Sequence, residues 1–424
     1  MIIEKDNQLE DFLQENENKD CFIIPILSDV NLHPLQNTLC AIYLKIVDGE
    51  ERMLCFNHGE TLKIKLELLL TLDRLGRKFV RDKKQFNHIV KLTDVVDVNL
   101  QHYMKNNQSL EWDELSTNTH DYFNRVMWRM KNTNRIIPIL KHLELCREQV
   151  KMLEKSYQLP IHEEYNNEII DNLSFIENSG LQTTDGMLYS EYNLYTSTGR
   201  PSNRFGGVNF AALNKTDGSR KPYVSRFNDG MLVEFDYDAY HLRLIGHILD
   251  YKFPKGSVHQ HMSKFYGDVD YETSKNTSFK YLYGRIPQEV IDTNPFFSRV
   301  NDYIGEIWGN FKTHKFTESN IYRKKIFKQN LSAMNRNKLF NYMIQLLETE
   351  NNMKVMTDLV PYLKDKQSKL ILYSYDSFLF DFKIQDGLGF LKEVKDILEQ
   401  GGLFPTKSSK GLNYHEMEDI TEKL

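Results

Sequence analysis

Two aspartates stand where the chain could hold a metal ion. Asp236 follows the apolar run Met231-Leu232-Val233 and precedes Leu242, Leu244 and Ile245, whose spacing starts a helix. A strand therefore ends by presenting an acid beside its own backbone carbonyls. Mg2+ prefers oxygen ligands of this kind and is held by one or two carboxylates together with substrate phosphates. Asp376 lies in the strand-like stretch from Leu370 to Phe380, whose form predicts a hairpin with the acid at or near its bend. An ordinary turn can carry either acid alone, so the residues around them must decide.

Those residues fall into ordered groups. Thr198-Gly199-Arg200-Pro201-Ser202 is followed by Val208-Asn209-Phe210. Asp236 and Tyr237 are followed by Leu242, Arg243 and His247, and then by Lys275, Phe279, Tyr283 and Gly284. Asn341 and Gln345, Tyr375-Asp376-Ser377 and Gly411-Leu412-Asn413-Tyr414 close the series. The groups resemble the T-G-R-x-S, P-N-L, D-Y-S-x-I-E-L-R-x-x-A-H, K-x-x-N-F-G-x-x-Y-G, N-x-x-x-Q, H-D-E and G-x-N-W elements of family A DNA polymerases. That group includes bacterial polymerase I and the phage T7 enzyme. The resemblance runs from residue 198 to residue 414 and is specific because order and spacing recur together.

The resemblance implies an α/β (α+β) architecture. A right-hand polymerase domain would occupy 131–424, with the thumb at 131–190, the palm at 191–255 and 335–424, and the fingers at 256–334. It implies template-directed addition of dNTPs to a primer 3'-hydroxyl. Asp236 and Asp376 would be the catalytic residues, bridging two Mg2+ ions with the Tyr237 carbonyl as a further oxygen ligand. Lys275 and His259 would meet the triphosphate, Phe279 and Tyr283 the bases, with His241 and Tyr237 beside the nucleotide. Arg200, Asn341 and Gln345 offer donors to the minor groove, whose acceptors are nearly alike for every base pair. Tyr375, Lys324 and Lys325 complete the DNA-facing set.

Several positions depart from the family pattern. His241 replaces the Glu that blocks a ribose 2'-hydroxyl, which raises a polymerase that accepts ribonucleotides as an alternative. Tyr271 stands where the family has an Arg on the triphosphate, with Lys264 as a candidate substitute. Lys280, Tyr375 and Ser377 replace Gly, His and Glu. Compactness and divergence suggest a phage-encoded branch. The competing reading from another class is a DNA-binding module that has lost catalysis, against which both acids speak, because DNA binding alone does not favour anionic groups facing phosphates.

The 424 residues and 50.2 kDa suffice for two or three domains. With 40% apolar and 27% charged residues the composition is that of a globular protein. No run of residues is apolar enough for a membrane span and the amino terminus is no signal peptide, so the expected location is the cytoplasm, or the host cytoplasm for a phage protein. Cys21, Cys40, Cys55 and Cys146 lack metal-ligand spacing and read as buried reduced thiols. The net charge of -5 does not advertise a nucleic-acid binder. Lys312, Lys315, Arg323, Lys324, Lys325, Lys328, Arg336 and Lys338, however, form a local track for backbone phosphates. The expected partners are primer-template DNA and dNTPs, with a processivity factor or helicase added, and the chain is expected to be a monomer.

Strands are expected at 21–27, 38–47 and 53–56, the latter two joined by Asp48-Gly49. This order resembles the opening of the family's RNase H-like 3'-5' exonuclease domain, here assigned to 1–130. Its D-x-E element becomes Asp29-Val30-Asn31, and Val126 stands where the acid after Tyr122 belongs. Asp82, Asp94 and Asp97 remain, so an inactive, degenerate exonuclease-like domain is expected, with an unrelated small α/β domain as the alternative. From Ile136 an amphipathic helix begins a short thumb, which predicts low processivity. The interval from His259 to Lys275 is short and the fingers look trimmed. Helices are expected at 335–350, near 352–364 and at 388–399, the last closed by Gly401-Gly402, with the tail packing back on the palm.

Overall fold

The computed structural model describes residues 2–29, 32–110, 133–157, 163–203, 208–327 and 334–424. Val30, Asn31, Tyr122, Val126 and Lys328, on which expectations rest, lie outside the described residues. The chain divides into two compact units, Met1–Ser174 and Phe175–Leu424.

The first unit is built on six strands, β1 (Ile2–Ile3), β2 (Cys21–Leu27), β3 (Leu39–Ile46), β4 (Glu51–Cys55), β5 (Lys78–Val80) and β6 (Val95–Asp97). They lie in the order β1-β4-β3-β2-β5-β6. β2, β3 and β4 are an antiparallel meander, the three strands expected from the sequence, while β5 and β6 join in parallel. Asp48 turns the β3–β4 hairpin with φ of 53° ahead of Gly49. β2 and β3 are apolar on both faces because both faces are covered. Cys21, Ile23 and Leu44 pack with Leu9, Phe12 and Leu13 of helix α1 (Asp6–Glu15). Phe22, Cys40 and Tyr43 pack with Ile139, Cys146 and Val150 of a helix at Ile139–Glu154, which starts directly after Pro138. Pro25 is tolerated in β2 because β5 pairs only with Cys21 and Phe22, leaving that edge open beyond them. Two short helices, α2 (Lys83–Asn87) and α3 (Val98–Asn106), follow β5 and β6, so that Ile139–Glu154 is α4. All four cysteines are free and buried.

The second unit is organised on β7 (Gly230–Tyr237), the centre of an antiparallel sheet. A small hairpin, β8 (Phe316–Glu318) and β9 (Lys325–Phe327), stands apart from this sheet. The others are β10 (Lys369–Ser374), β11 (Ser377–Lys383), β12 (Thr406–Gly411) and β13 (Glu418–Asp419), in the order β10-β11-β7-β12-β13. Alternation along β7 gives its two faces different work. Phe235 and Tyr237 are buried, the Phe235 ring against Phe380 at 5.7 Å and the Tyr237 hydroxyl donating to the Leu398 carbonyl at 2.8 Å. Leu232, Glu234 and Asp236 line the opposite face, where Leu232 joins Tyr223, Leu372, Leu379 and Tyr414. Gly230 begins the strand where only glycine fits, since a Cβ would lie 2.4 Å from Ser225 Oγ and 2.9 Å from the Phe382 carbonyl.

The helices that matter for the site include α5 (Tyr240–Ile248), α6 (Val258–Ser263), α7 (Tyr271–Tyr283), α8 (Pro295–His314), α9 (Arg336–Leu363) and α10 (Gly387–Glu399). The two helices expected at 335–350 and near 352–364 are one, α9. Nothing between Glu350 and Met353 breaks it, because the buried Asn352 amide is satisfied by the Tyr373 hydroxyl at 3.1 Å and the Tyr375 carbonyl at 2.7 Å. α10 ends on Gln400 in the left-handed region, and Gly401 and Gly402 continue the reversal. The tail returns to the sheet as β12, paired with β7. Among the described residues no helix is long and apolar enough to cross a membrane.

Candidate active site

β7 carries Asp236 to its carboxyl end, where its Cα pairs with Ser377 on one side and Lys407 on the other. β10 and β11 reverse through two residues, Tyr375 and Asp376, the bend expected from the sequence. Tyr375 has φ of 61°, a conformation that favours glycine at the first loop position of such hairpins. The Tyr237 amide donates to the Asp376 carbonyl at 2.9 Å, which pins the bend against the end of β7. The two acids are therefore neighbours because of strand register.

Their charges conflict when no cation is present. Burial pushes the Asp236 carboxyl up to about 7, with Asp376 and Glu234 adding repulsion. The Asp376 carboxyl is likewise raised by burial and then by Glu348. Lys215 offers partial compensation, its Nζ 3.8 Å from Asp236 Oδ2 on a mostly exposed side chain. Crowded hard-oxygen donors that resist ionising together fit a divalent cation such as Mg2+. Asp238 is not free for this role, because Arg243 and Lys407 bind its two oxygens at 3.1 and 3.0 Å.

These acids open into a cavity of about 690 Å3 within the second unit. The facing wall is α7, which Asp270 caps by accepting from the Thr273 amide at 3.0 Å. Tyr271, Lys275, Phe279 and Tyr283 recur every four residues and form one row lining the cavity. The Phe279 and Tyr283 rings lie parallel with centroids 5.8 Å apart. On the other face of α7, the small Ser274 and Ser278 let α6 come close, and Ser274 Oγ donates to the His259 carbonyl at 2.5 Å. His259 sits edge-on to both Tyr271 and Phe279, at 5.5 and 5.6 Å. Burial pushes its imidazole down to about 4, and Lys275 and Lys407 repel a proton further against the pull of Asp238. It is therefore neutral at pH 7, with a buried Nδ1 that has no hydrogen-bond partner among the described residues.

Sequence reasoning missed Glu348. Its fully buried carboxylate meets Arg200 Nε at 2.8 Å and Nη2 at 3.1 Å, and His241 Nε2 at 3.2 Å. His241 Nδ1 shares a hydrogen bond with the Tyr283 hydroxyl, while the Arg200 guanidinium lies 3.5 Å from the Tyr375 ring centroid. One acid thus holds two groups, Arg200 and His241, whose charges both act on Asp376. The available signal was its place on α9, three residues after Gln345, as a charge inside a buried run.

The cavity gathers Asp236, Asp376, Tyr237, His241, His259, Lys275, Phe279, Tyr283 and Arg200. Tyr237 needs correction as a nucleotide-binding side chain, because its ring is buried and its hydroxyl spent on Leu398, which leaves only its main chain for the site. Lys324 also needs correction. It is 4% exposed at the base of the β8–β9 hairpin, in the field of Glu350, and cannot track DNA phosphates. Its neighbour Lys325 is exposed, with Nζ 4.6 Å from the Phe316 ring. Asn341 and Gln345 share a face of α9, the Asn341 amide donating to the Tyr283 carbonyl at 3.0 Å, and Tyr375 lies under Arg200. In the first unit Asp82 accepts from the Gln85 amide at 2.9 Å, and Asp97 from the Lys83 and Leu100 amides at 2.8 and 2.7 Å. Both carboxylates therefore cap helices, α2 and α3 respectively, and burial followed by Asp82 pushes Asp97 up to about 8.

The fold is the mixed α/β fold of a polymerase domain. Over 98% of this chain and 100% of the other it matches the POL domain of Pol1 from M. smegmatis, solved as a complex with DNA primer-template and dNTP, with a TM-score of 0.69 and 14% sequence identity. That neighbour is a family A DNA polymerase, so the fold implied by the motif resemblance is the fold observed. No protein-family model and no curated protein sequence matches the chain.

Proposed function

We propose that the chain is a template-directed DNA polymerase that adds dNTPs to a primer 3'-hydroxyl. The observation that carries this reading is the register that sets Asp236 beside the Asp376 bend, facing the Lys275, Phe279 and Tyr283 row across one cavity. A structural neighbour bound to primer-template and dNTP supports it.

Phosphoryl transfer asks the protein for position and charge, and little covalent chemistry. Two Mg2+ ions, held by Asp236, Asp376 and the Tyr237 carbonyl, would supply charge neutralisation and an activated primer hydroxyl. The chain's own residues do the rest. Lys275 meets the triphosphate, and neutral His259 offers a hydrogen bond without adding charge. Phe279 and Tyr283 give flat apolar surface to the bases. The proposed catalytic domain is residues 131–424, with exposed Lys325 and half-buried Asn341 and Gln345 on the DNA side. Residues 1–130 are an exonuclease-like domain without proofreading, a reading supported by helix caps that engage Asp82 and Asp97.

Primer extension with Mg2+ tests this directly, comparing dNTPs with rNTPs and wild type with Asp376→Asn. Extension by dNTPs that the variant lacks is expected, and a mismatched 3' end should not be shortened. No extension by the wild type, despite DNA binding, overturns the reading in favour of a binding module.

A further inference from the structure

In the family resemblance Tyr271 stands where an Arg would meet the triphosphate, which leaves Lys275 as the one ammonium group assigned to it. Lys264, the substitute suggested by sequence, is exposed at the end of α6 and is not among the cavity's lining residues. The register of β12 supplies another. Lys407 is the direct partner of Asp236, and directly opposed residues of antiparallel strands point to the same face. Its Nζ lies 3.0 Å from Asp238 Oδ1, donates to the Tyr271 hydroxyl at 3.4 Å, and sits 5.7 Å from that ring. The ammonium therefore stands at the Tyr271 end of the row that also carries Lys275.

We infer that Lys407 is a second phosphate ligand of the incoming nucleoside triphosphate, gripping its tail together with Lys275. This rests on the polymerase reading above. Three features fit a ligand better than a fixed strut. The side chain is 56% exposed, so the ammonium is wet and able to turn. Asp238 keeps Arg243 at 3.1 Å when Lys407 swings away, so no buried charge is orphaned. The two cations reach the cavity from different elements, a strand and a helix, and both act electrostatically on His259, whose Nδ1 is buried with no hydrogen-bond partner among the described residues. A lysine is a mobile point charge with three donors, suited to a phosphate chain that changes position as pyrophosphate departs.

Single-nucleotide incorporation on saturating primer-template distinguishes this from a structural ion pair. Lys407→Gln should raise the dNTP KM about tenfold and change kcat less than about threefold, with Lys407→Arg recovering most of the loss. The KM for pyrophosphate in the reverse reaction should rise in parallel, because pyrophosphate is the part of the nucleotide that Lys407 touches. Primer-template affinity without nucleotide should not change. An unaltered dNTP KM in Lys407→Gln, in a protein whose wild type extends primers, overturns this inference alone. A loss confined to kcat and thermal stability also overturns it, because that is what a strut between β12 and Asp238 would give. A wild type that extends no primer removes the polymerase reading and this inference with it.

Discussion

Replacing Glu348 by glutamine keeps the shape of the side chain and removes one negative charge from a fully buried position. Glu348 is 1% exposed and its partner Arg200 22%. Breaking a buried pair by removing one partner costs about 3–5 kcal/mol. The residual exposure of Arg200 and the remaining amide acceptor place Glu348→Gln at the low end, about 3 kcal/mol. At roughly 2–4 °C per kcal/mol for a domain of the second unit's size, the melting temperature should fall by about 6–12 °C. The charge of Arg200 is the reason, so the cost should shrink to under about 1 kcal/mol when Glu348→Gln is made in an Arg200→Gln background. The double-mutant cycle, followed by thermal unfolding, reads this coupling. The same substitution frees His241 on its Nε2 side, and the preference for dNTP over rNTP should fall several-fold in primer extension. Additive stabilities in the cycle, with an unchanged sugar preference, would refute the view that Glu348 positions Arg200 and His241.

In metal-free protein the raised Asp236 carboxyl, at about 7, binds its proton more tightly folded than unfolded, so stability should fall as pH rises from about 4 to about 7. Asp236→Asn should then melt a few degrees above wild type at pH 8 in EDTA and lose the stabilisation that Mg2+ gives wild type; equal melting, with the Mg2+ effect intact, sinks the metal assignment. Burial also raises Glu350 to about 7 and lowers Lys324 to about 8, while Glu350 accepts from the Ile321 and Tyr322 amides at 3.0 and 3.4 Å. Folding strains both charges, so their joint contribution should fall between about pH 4.5 and 7 and recover between about 8 and 10.5. Urea unfolding across pH should show Lys324→Met destabilised by about 3–5 kcal/mol at pH 8, and Lys324→Met with Glu350→Gln restored towards wild type with a flatter profile. A single variant as stable as wild type would show that the pair carries no cost.

What the sequence made legible follows from which distances are set locally. The Lys275, Phe279 and Tyr283 row needs only helical periodicity, and the Asp376 bend only an apolar hairpin around two residues, so both were readable in advance. Lys324 misled because a basic run normally faces water, yet Lys324 sits just before β9, where its amide donates to Ser319 Oγ at 2.8 Å and its side chain is buried while that of Lys325 is exposed. Glu348 had no local signature. Its role arises where α9 crosses Arg200 and α5, and neither contact has a sequence spacing that a motif could record.

Lys407 shows the same limit at its sharpest, because its place depends on the register between two strands far apart in the chain. Asp236 pairs with Lys407 and Phe235 with Ser408. Were β12 displaced by a single residue, Ser408 or Thr406 would stand opposite Asp236, and the ammonium would move to the face that packs on α10. The tail holds the register with its own contacts, since Tyr414 donates to Glu234 at 2.7 Å and its amide to the Tyr223 carbonyl at 2.9 Å. The carboxyl-terminal G-x-N-Y element is therefore more than a closing strand. By anchoring β12 it determines which of Thr406, Lys407 and Ser408 stands opposite Asp236, and so couples a residue in the tail to the charge of the cavity.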